Sequence, residues 1–266
     1  MAKLLSGLLA ALLLLTVSAI AQDTGVISGR VQDPSGSMVV GAQVAIVNTA
    51  TSVEDHSQTN EEGIYRVPAL RPGTYRVTVT ATGFRKFVRD NVELQVGAVV
   101  LINAGLEIGS AAETVDVTSV IPLLETETST TGTVVDGKYF FRLPFFQQQS
   151  MANLYLTPGV LISGAGYAGS VASFQINGES NSRLGYFDDG IYGVSAGTGS
   201  SYVTQTLANT IGEVKVLTTV LPAEYGHSAG GAVVVAKKSG TNQLHGRAAD
   251  YGGYAGMEQR YFFQLY

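Results

Sequence analysis

Cysteine and tryptophan are both absent from the 266 residues. Without thiols the chain has no disulfide to staple a small core and no thiolate to bind zinc or attack a substrate, so folding rests on apolar burial. An oxidising compartment is permitted. Charge is sparse as well: Asp, Glu, Lys and Arg make up 14% of the residues, with a net charge of −5. Basic residues gather no further than pairs such as Arg85-Lys86, which removes the electrostatic footing for nucleic-acid binding. The three histidines, His56, His227 and His245, are scattered without an HExxH pattern or a close pair, so no metal site is expected. Against 7 prolines stand 32 glycines and 13 tyrosines, the balance of a turn-rich β protein.

One long apolar run exists, at 4–20, behind the basic start Met1-Ala2-Lys3. Ala19-Ile20-Ala21 places small residues where a signal peptidase reads, so cleavage before Gln22 and export are expected. An uncleaved anchor is the alternative, since the run approaches the ~18 residues that span a bilayer. Residues 22–266 suit two modest domains, each able to bury a core.

Short segments at 26–31, 42–48, 64–67, 73–81, 84–90 and 99–106 are each bounded by Gly, Pro, Asn or Asp. In the clearest of them Tyr75, Val77, Val79 and Ala81 alternate with Thr74, Arg76, Thr78 and Thr80, the pattern of a half-buried strand. Such strands at this spacing predict an antiparallel β-sandwich over 22–107. The words Ile27-Ser28-Gly29-Arg30-Val31, Gly41-Ala42-Gln43-Val44, Thr59-Asn60-Glu61-Glu62-Gly63-Ile64-Tyr65 and Leu70-Arg71-Pro72-Gly73-Thr74-Tyr75 resemble the carboxypeptidase regulatory-like domain. That resemblance implies a transthyretin-like or carbohydrate-binding-like sandwich. Tyr65 and Tyr75 fall on strands where burial is expected, so no aromatic sugar platform is read from them.

The second half holds two β-branched runs, 214–220 and 232–236, joined through Gly226, Gly230 and Gly231. Pro222-Ala223-Glu224-Tyr225-Gly226, then Gly230-Gly231-Ala232-Val233-Val234-Val235, then Lys238-Ser239-Gly240-Thr241-Asn242 with His245-Gly246 resemble the end of the plug domain of TonB-dependent outer-membrane receptors, in the Oar-like subgroup. Phe174-Gln175-Ile176-Asn177-Gly178 and Tyr186-Phe187-Asp188-Asp189-Gly190 extend the likeness upstream, with Asp-Asp-Gly where the family more often has Leu-Asp-Gly. The resemblance implies a mainly β chain: the sandwich, a linker at 108–133, a mixed α+β plug at 134–246, and a possible first barrel strand at 247–266. Short helical or turn-flanked segments are expected at 139–144 and 153–156.

The resemblance also implies a partner, the energy-coupling protein TonB. Glu113, Thr114, Val115, Asp116, Val117 and Thr118 resemble the box that TonB captures by β-augmentation. The same residues read equally well as the last strand of the sandwich. The Gly/Ser/Tyr-rich stretches 163–170 and 192–202 suit ligand contact through Tyr167, Tyr192 and Tyr202, or serve as plain surface loops.

Catalysis is not expected. Asp188 and Asp189 are neighbours on a strand and point apart unless a turn intervenes, so a strand-to-turn boundary accounts for them better than an acid/base pair. The 226–231 loop lacks the Lys-Ser/Thr ending of a phosphate cradle and precedes a strand. No cofactor is implied. The expected function is the periplasmic and plug portion of a TonB-dependent transporter at the outer membrane. It would gate uptake of an unidentified ligand, such as a carbohydrate or an oligomeric nutrient. The membrane would be reached through a barrel that lies outside this chain, since even small barrels need about eight strands. Two other classes stay open: a free-standing exported carbohydrate-binding or adhesive module, and an enzyme accessory domain.

Overall fold

The computed structural model describes residues 24–109, 114–116, 131–139, 154, 157–163, 173–179, 183–193, 208–219, 221–226, 228–244 and 246. Strands dominate them, and no α-helix is delimited among them. The helical segments expected at 139–144 and 153–156 lie almost wholly outside the described residues, as do the leader and 247–266.

Two sheets form the N-terminal sandwich. In the first, β1 (Gly25–Gln32) lies between β4 (Ile64–Leu70) and β7 (Val99–Leu101), with β8 (Ala104–Gly105) continuing along β1. The second runs β3 (Glu54–Gln58), β2 (Gln43–Asn48), β5 (Gly73–Thr80), β6 (Lys86–Leu94) and β9 (Thr114–Asp116). Side chains of both sheets meet in one core that includes Ile27, Val31, Val44, Ile46, Tyr65, Val77, Val79 and Phe87. The alternation read in 74–81 holds at its centre: Tyr75, Val77 and Val79 are buried, and Arg76 is exposed. Both tyrosines expected to be buried are so. The Tyr65 hydroxyl donates to Ile102 O at 2.8 Å and that of Tyr75 to Arg71 O at 2.7 Å, which satisfies the polar end of each ring.

The expectation of a purely antiparallel sandwich needs correction. β7 and β8 run parallel to β1, and β9 runs parallel to β6. β7 follows β6 of the other sheet and β8 continues it along β1, and β9 follows β8 of the first sheet, so none of the three is joined to its parallel neighbour by a hairpin. Gly29 permits the β1 to β7 approach, because a Cβ at that position would fall 1.8 Å from Ile102 O. β3 was not foreseen from the sequence. Its residues, Glu54-Asp55-His56-Ser57-Gln58, carry charge in place of apolar alternation, as befits an edge strand that must not recruit another chain.

The C-terminal sheet has the order β10 (Thr131–Asp136), β15 (Ile211–Thr219), β16 (Ala232–Lys237), β13 (Gly185–Asp188), β14 (Ile191–Tyr192). A separate hairpin pairs β11 (Val160–Ser163) with β12 (Ser173–Ile176). β15 and β16 answer to the two β-branched runs of the sequence and pair antiparallel, with Val214 opposite Val235 and Val216 opposite Val233. One face of the sheet packs Tyr186, Ile211, Val214, Val216, Val233 and Val235 against Leu154, Val160, Ile176 and Leu184. The other face presents Phe187, Leu217, Ala232, Val234 and Ala236. β9 falls within the stretch read as linker and pairs with β6, while β10 starts in that stretch, runs past its end at 133 and pairs with β15.

Candidate functional site

β15 shows how the sequence builds the surface between the two regions. In Glu213-Val214-Lys215-Val216-Leu217 the valines turn to one core, and Glu213, Lys215 and Leu217 therefore project from the opposite face. Onto that face comes the turn at 95–98 of the sandwich, which links β6 to β7. Its Val96 is fully buried among Phe187, Leu217, Tyr225, Ala232, Val234 and Ala236 of the C-terminal sheet. Polar contacts flank the inserted side chain. The Val96 N–H donates to Glu213 Oε1, and the Lys215 ammonium donates to Val96 O at 3.2 Å and Gly97 O at 3.4 Å.

Lys215 is only 7% exposed, so its charge is tolerable because carbonyl oxygens replace lost water. Burial pushes the Glu213 carboxyl up to about 7. The Val96 N–H and the Lys215 ammonium pull against that rise, and Asp136, opposite Glu213 on β10, adds to it. A second contact lies nearby in sequence to β16: Asn242 donates its backbone N–H to Ala50 O at 3.0 Å and its side-chain amide to Thr51 O at 2.7 Å. Nothing in the sequence alone singled out Val96. The available signal was the polar alternation of Glu213 and Lys215 inside an apolar strand, which marks a face that meets something other than hydrocarbon.

Of the residues proposed for TonB capture, Thr114, Val115 and Asp116 form β9, in parallel register with Lys86, Phe87 and Val88. Glu113, Val117 and Thr118 lie outside the described residues. Residues 114–116 thus form an edge strand, at the end of the strand order β3-β2-β5-β6-β9. Tyr192 stands in β14 at the edge of the C-terminal sheet, 39% exposed, its ring centroid 5.2 Å from that of Phe187. Tyr167 and Tyr202 lie outside the described residues.

Asp188 ends β13, and Asp189 with φ +48° and Gly190 with φ +78° make the two-residue turn into β14. That turn is the strand-to-turn boundary read from the sequence. It swings both carboxylates toward Lys237, whose ammonium lies 3.0 Å from Asp188 Oδ1 and 3.9 Å from Asp189 Oδ2. Paired with a lysine, the two acids have a structural explanation. His56 is exposed beside Glu54, while His227 and His245 fall outside the described residues. Among the described residues no group of three or more His, Asp or Glu side chains could hold a metal ion. No helix among them is long and apolar enough to cross a membrane, which says nothing of a β-barrel.

The carboxypeptidase regulatory-like domain family matches residues 26–107. The TonB-dependent transporter Oar of Myxococcus xanthus is 26% identical over 259 residues, covering 91% of this chain and 23% of the transporter. The chain therefore spans about a quarter of the length of that relative. Solved structures share smaller parts. Hydroxyquinol 1,2-dioxygenase from Pseudomonas putida matches 32% of this chain and 57% of its own, at 13% identity and a TM-score of 0.26. A putative carbohydrate-binding protein from Bacteroides uniformis matches 31% of this chain and 40% of its own, at 17% identity and a TM-score of 0.27. Likeness at that level carries no inference about dioxygenase chemistry or sugar binding. Residues 26–107 thus match the carboxypeptidase regulatory-like domain family, and over 91% of its length the chain is similar to one TonB-dependent transporter, Oar, of which it covers 23%.

Proposed function

We propose that this chain is the periplasmic and plug portion of a TonB-dependent outer-membrane transporter that gates energy-coupled uptake of a ligand. The observation that carries the reading is the likeness to Oar, which runs through both the sandwich and the C-terminal sheet. In this reading 1–21 is an export leader, 22–107 the sandwich, 108–133 the connecting segment, 134–246 the plug, and 247–266 the approach to a barrel. TonB is the partner, and 113–118 is the segment it takes. The edge position of β9 supports that role, because an edge strand exposes the backbone groups that β-augmentation needs. Tyr192 is the ligand-contact candidate among the described residues. The reading as a free carbohydrate-binding module gains no support from Tyr65 and Tyr75, whose rings are spent in the core.

The test is direct. A peptide of residues 111–121 should bind the isolated C-terminal domain of TonB, and Val115→Pro should abolish binding, because proline removes an N–H from the ladder and fixes φ near −65°. Val115→Ile should bind as the parent does. No binding of the parent peptide at millimolar concentration, together with loss of sandwich stability in the full chain carrying Val115→Pro, would hand the segment to the sandwich alone.

A further inference from the structure

The junction at Val96 has features that a passive contact between tethered domains does not need. An acid and a base, Glu213 and Lys215, stand on one face of β15 and grip a single turn by its backbone, while the side chain of that turn fills an apolar pocket between them and β16. The turn residues, Gln95, Val96, Gly97 and Ala98, bring no charge of their own. The charged groups facing Glu213 are Lys215 on its own strand and Asp136 in register on β10. On the β16 side its register partner is Ala236. Glu213 and Lys215 thus meet only backbone groups of the turn, which offers an ionic partner to neither.

We propose that the 95–98 turn and the Glu213/Lys215 pair form a proton-set clip, which fastens the sandwich to the C-terminal sheet when Glu213 is protonated and loosens when Glu213 is ionised. The sign follows from dehydration. Docking strips water from the carboxyl group, and a neutral carboxyl loses less by this than a carboxylate. Its carbonyl oxygen still accepts the Val96 N–H. The Lys215 ammonium keeps the two turn carbonyls in either state. Burial holds the docked Glu213 near 7, against an ordinary value of 4.5 in the open state. A raised value means that docking is at full strength below 4.5 and weakens as pH rises through 7. The inference is independent of the transport reading, since it requires only two domains and this contact.

Native-state hydrogen exchange of the Val96 amide, followed by NMR in the intact chain, reads the clip even when it is mostly closed. After correction for intrinsic exchange, protection of that amide should fall by roughly 100-fold between pH 4.5 and pH 8, while the core amides of Val77 and Val235 stay protected. Glu213→Gln, a permanently neutral carboxamide, should keep Val96 protected with a nearly flat profile. Asp136→Asn should move the midpoint of the wild-type profile to lower pH, a shift that a merely structural role would not produce. A flat wild-type profile would overturn the proposal, as would an unchanged slope in Glu213→Gln. Loss of protection at every pH in Glu213→Gln would overturn it too, because the ionised form would then be the one that holds the turn.

Discussion

Strand β5 of the sandwich buries one face, whereas β16, the central strand of the C-terminal sheet, buries both. In β5 the burial alternates, with Tyr75, Val77 and Val79 inside and Arg76 exposed. In β16 five consecutive residues, Ala232, Val233, Val234, Val235 and Ala236, are buried. The difference is one of coverage. A sandwich sheet packs only against its partner sheet, so one face keeps water. β16 has the Leu154, Ile176 and Leu184 cluster on one side, and on the other Phe187, Tyr225 and the Val96 that arrives from the sandwich. A run of apolar residues in a short strand thus records a neighbour on each face, and here one of those neighbours belongs to another domain.

Lesions placed in the two regions separate their stabilities. The largest effect is expected from Tyr65→Ala, which empties a fully buried site and removes the acceptor pairing with Ile102 O. A loss of about 3–5 kcal/mol of sandwich stability is expected. In a urea titration followed by hydrogen exchange, the β1 and β5 amides should lose protection first, with those of β16 persisting. Simultaneous loss in both regions would mean that the junction makes one cooperative unit and that the contrast between them is only one of burial.

A smaller but more local effect is expected from Val96→Asp. The substitution loses about 1.5–3 kcal/mol of apolar burial and puts a carboxylate beside Glu213 in a dry pocket, so the docked arrangement should fail. The sandwich core, which does not include Val96, should hold. Protease sensitivity of the 95–98 turn should rise while the amides of Val77 and Val79 keep their protection. If those core amides open as well, the turn serves to fold the sandwich and the docking role is secondary.

How legible this was in the sequence depends on which residues carried the pattern. Alternation at 74–81 and the two β-branched runs near 214–220 and 232–236 gave strands close to their observed bounds, because coverage of those strands leaves a direct mark on residue type. β3 escaped notice, since Glu54-Asp55-His56 are at an edge where charge is an advantage. The sequence pattern of β4 stops at Val67, short of the strand's end at Leu70. Its Pro68 is tolerated because β4 is an edge strand with a bulge, where Ala69 takes φ +60°. The pattern of β6 stops at Asp90, yet the strand passes through a bulge in which Asn91 takes φ +56° and continues to Leu94. The crossovers that make β7, β8 and β9 parallel are a matter of long-range pairing, to which local pattern is blind. The junction was hidden for the same reason, since Val96 and Glu213 are 117 residues apart.

The smallest expected effect tests whether Val96 is the main anchor. Asn242 touches the sandwich through two bonds, but only the side-chain amide to Thr51 O is lost in Asn242→Ala; the backbone N–H to Ala50 O needs no side chain. The site is exposed, so water can replace the lost partner on Thr51 O and no buried acceptor is stranded. Docking should weaken by about 0.5–1 kcal/mol, which is a two- to fivefold drop in Val96 amide protection at a fixed pH of 6. Asn242→Asp should behave almost the same, since it also removes the amide donor. A loss from Asn242→Ala as large as that from Val96→Asp would reverse the order of the two contacts and place the anchor of the sandwich at the 239–242 turn.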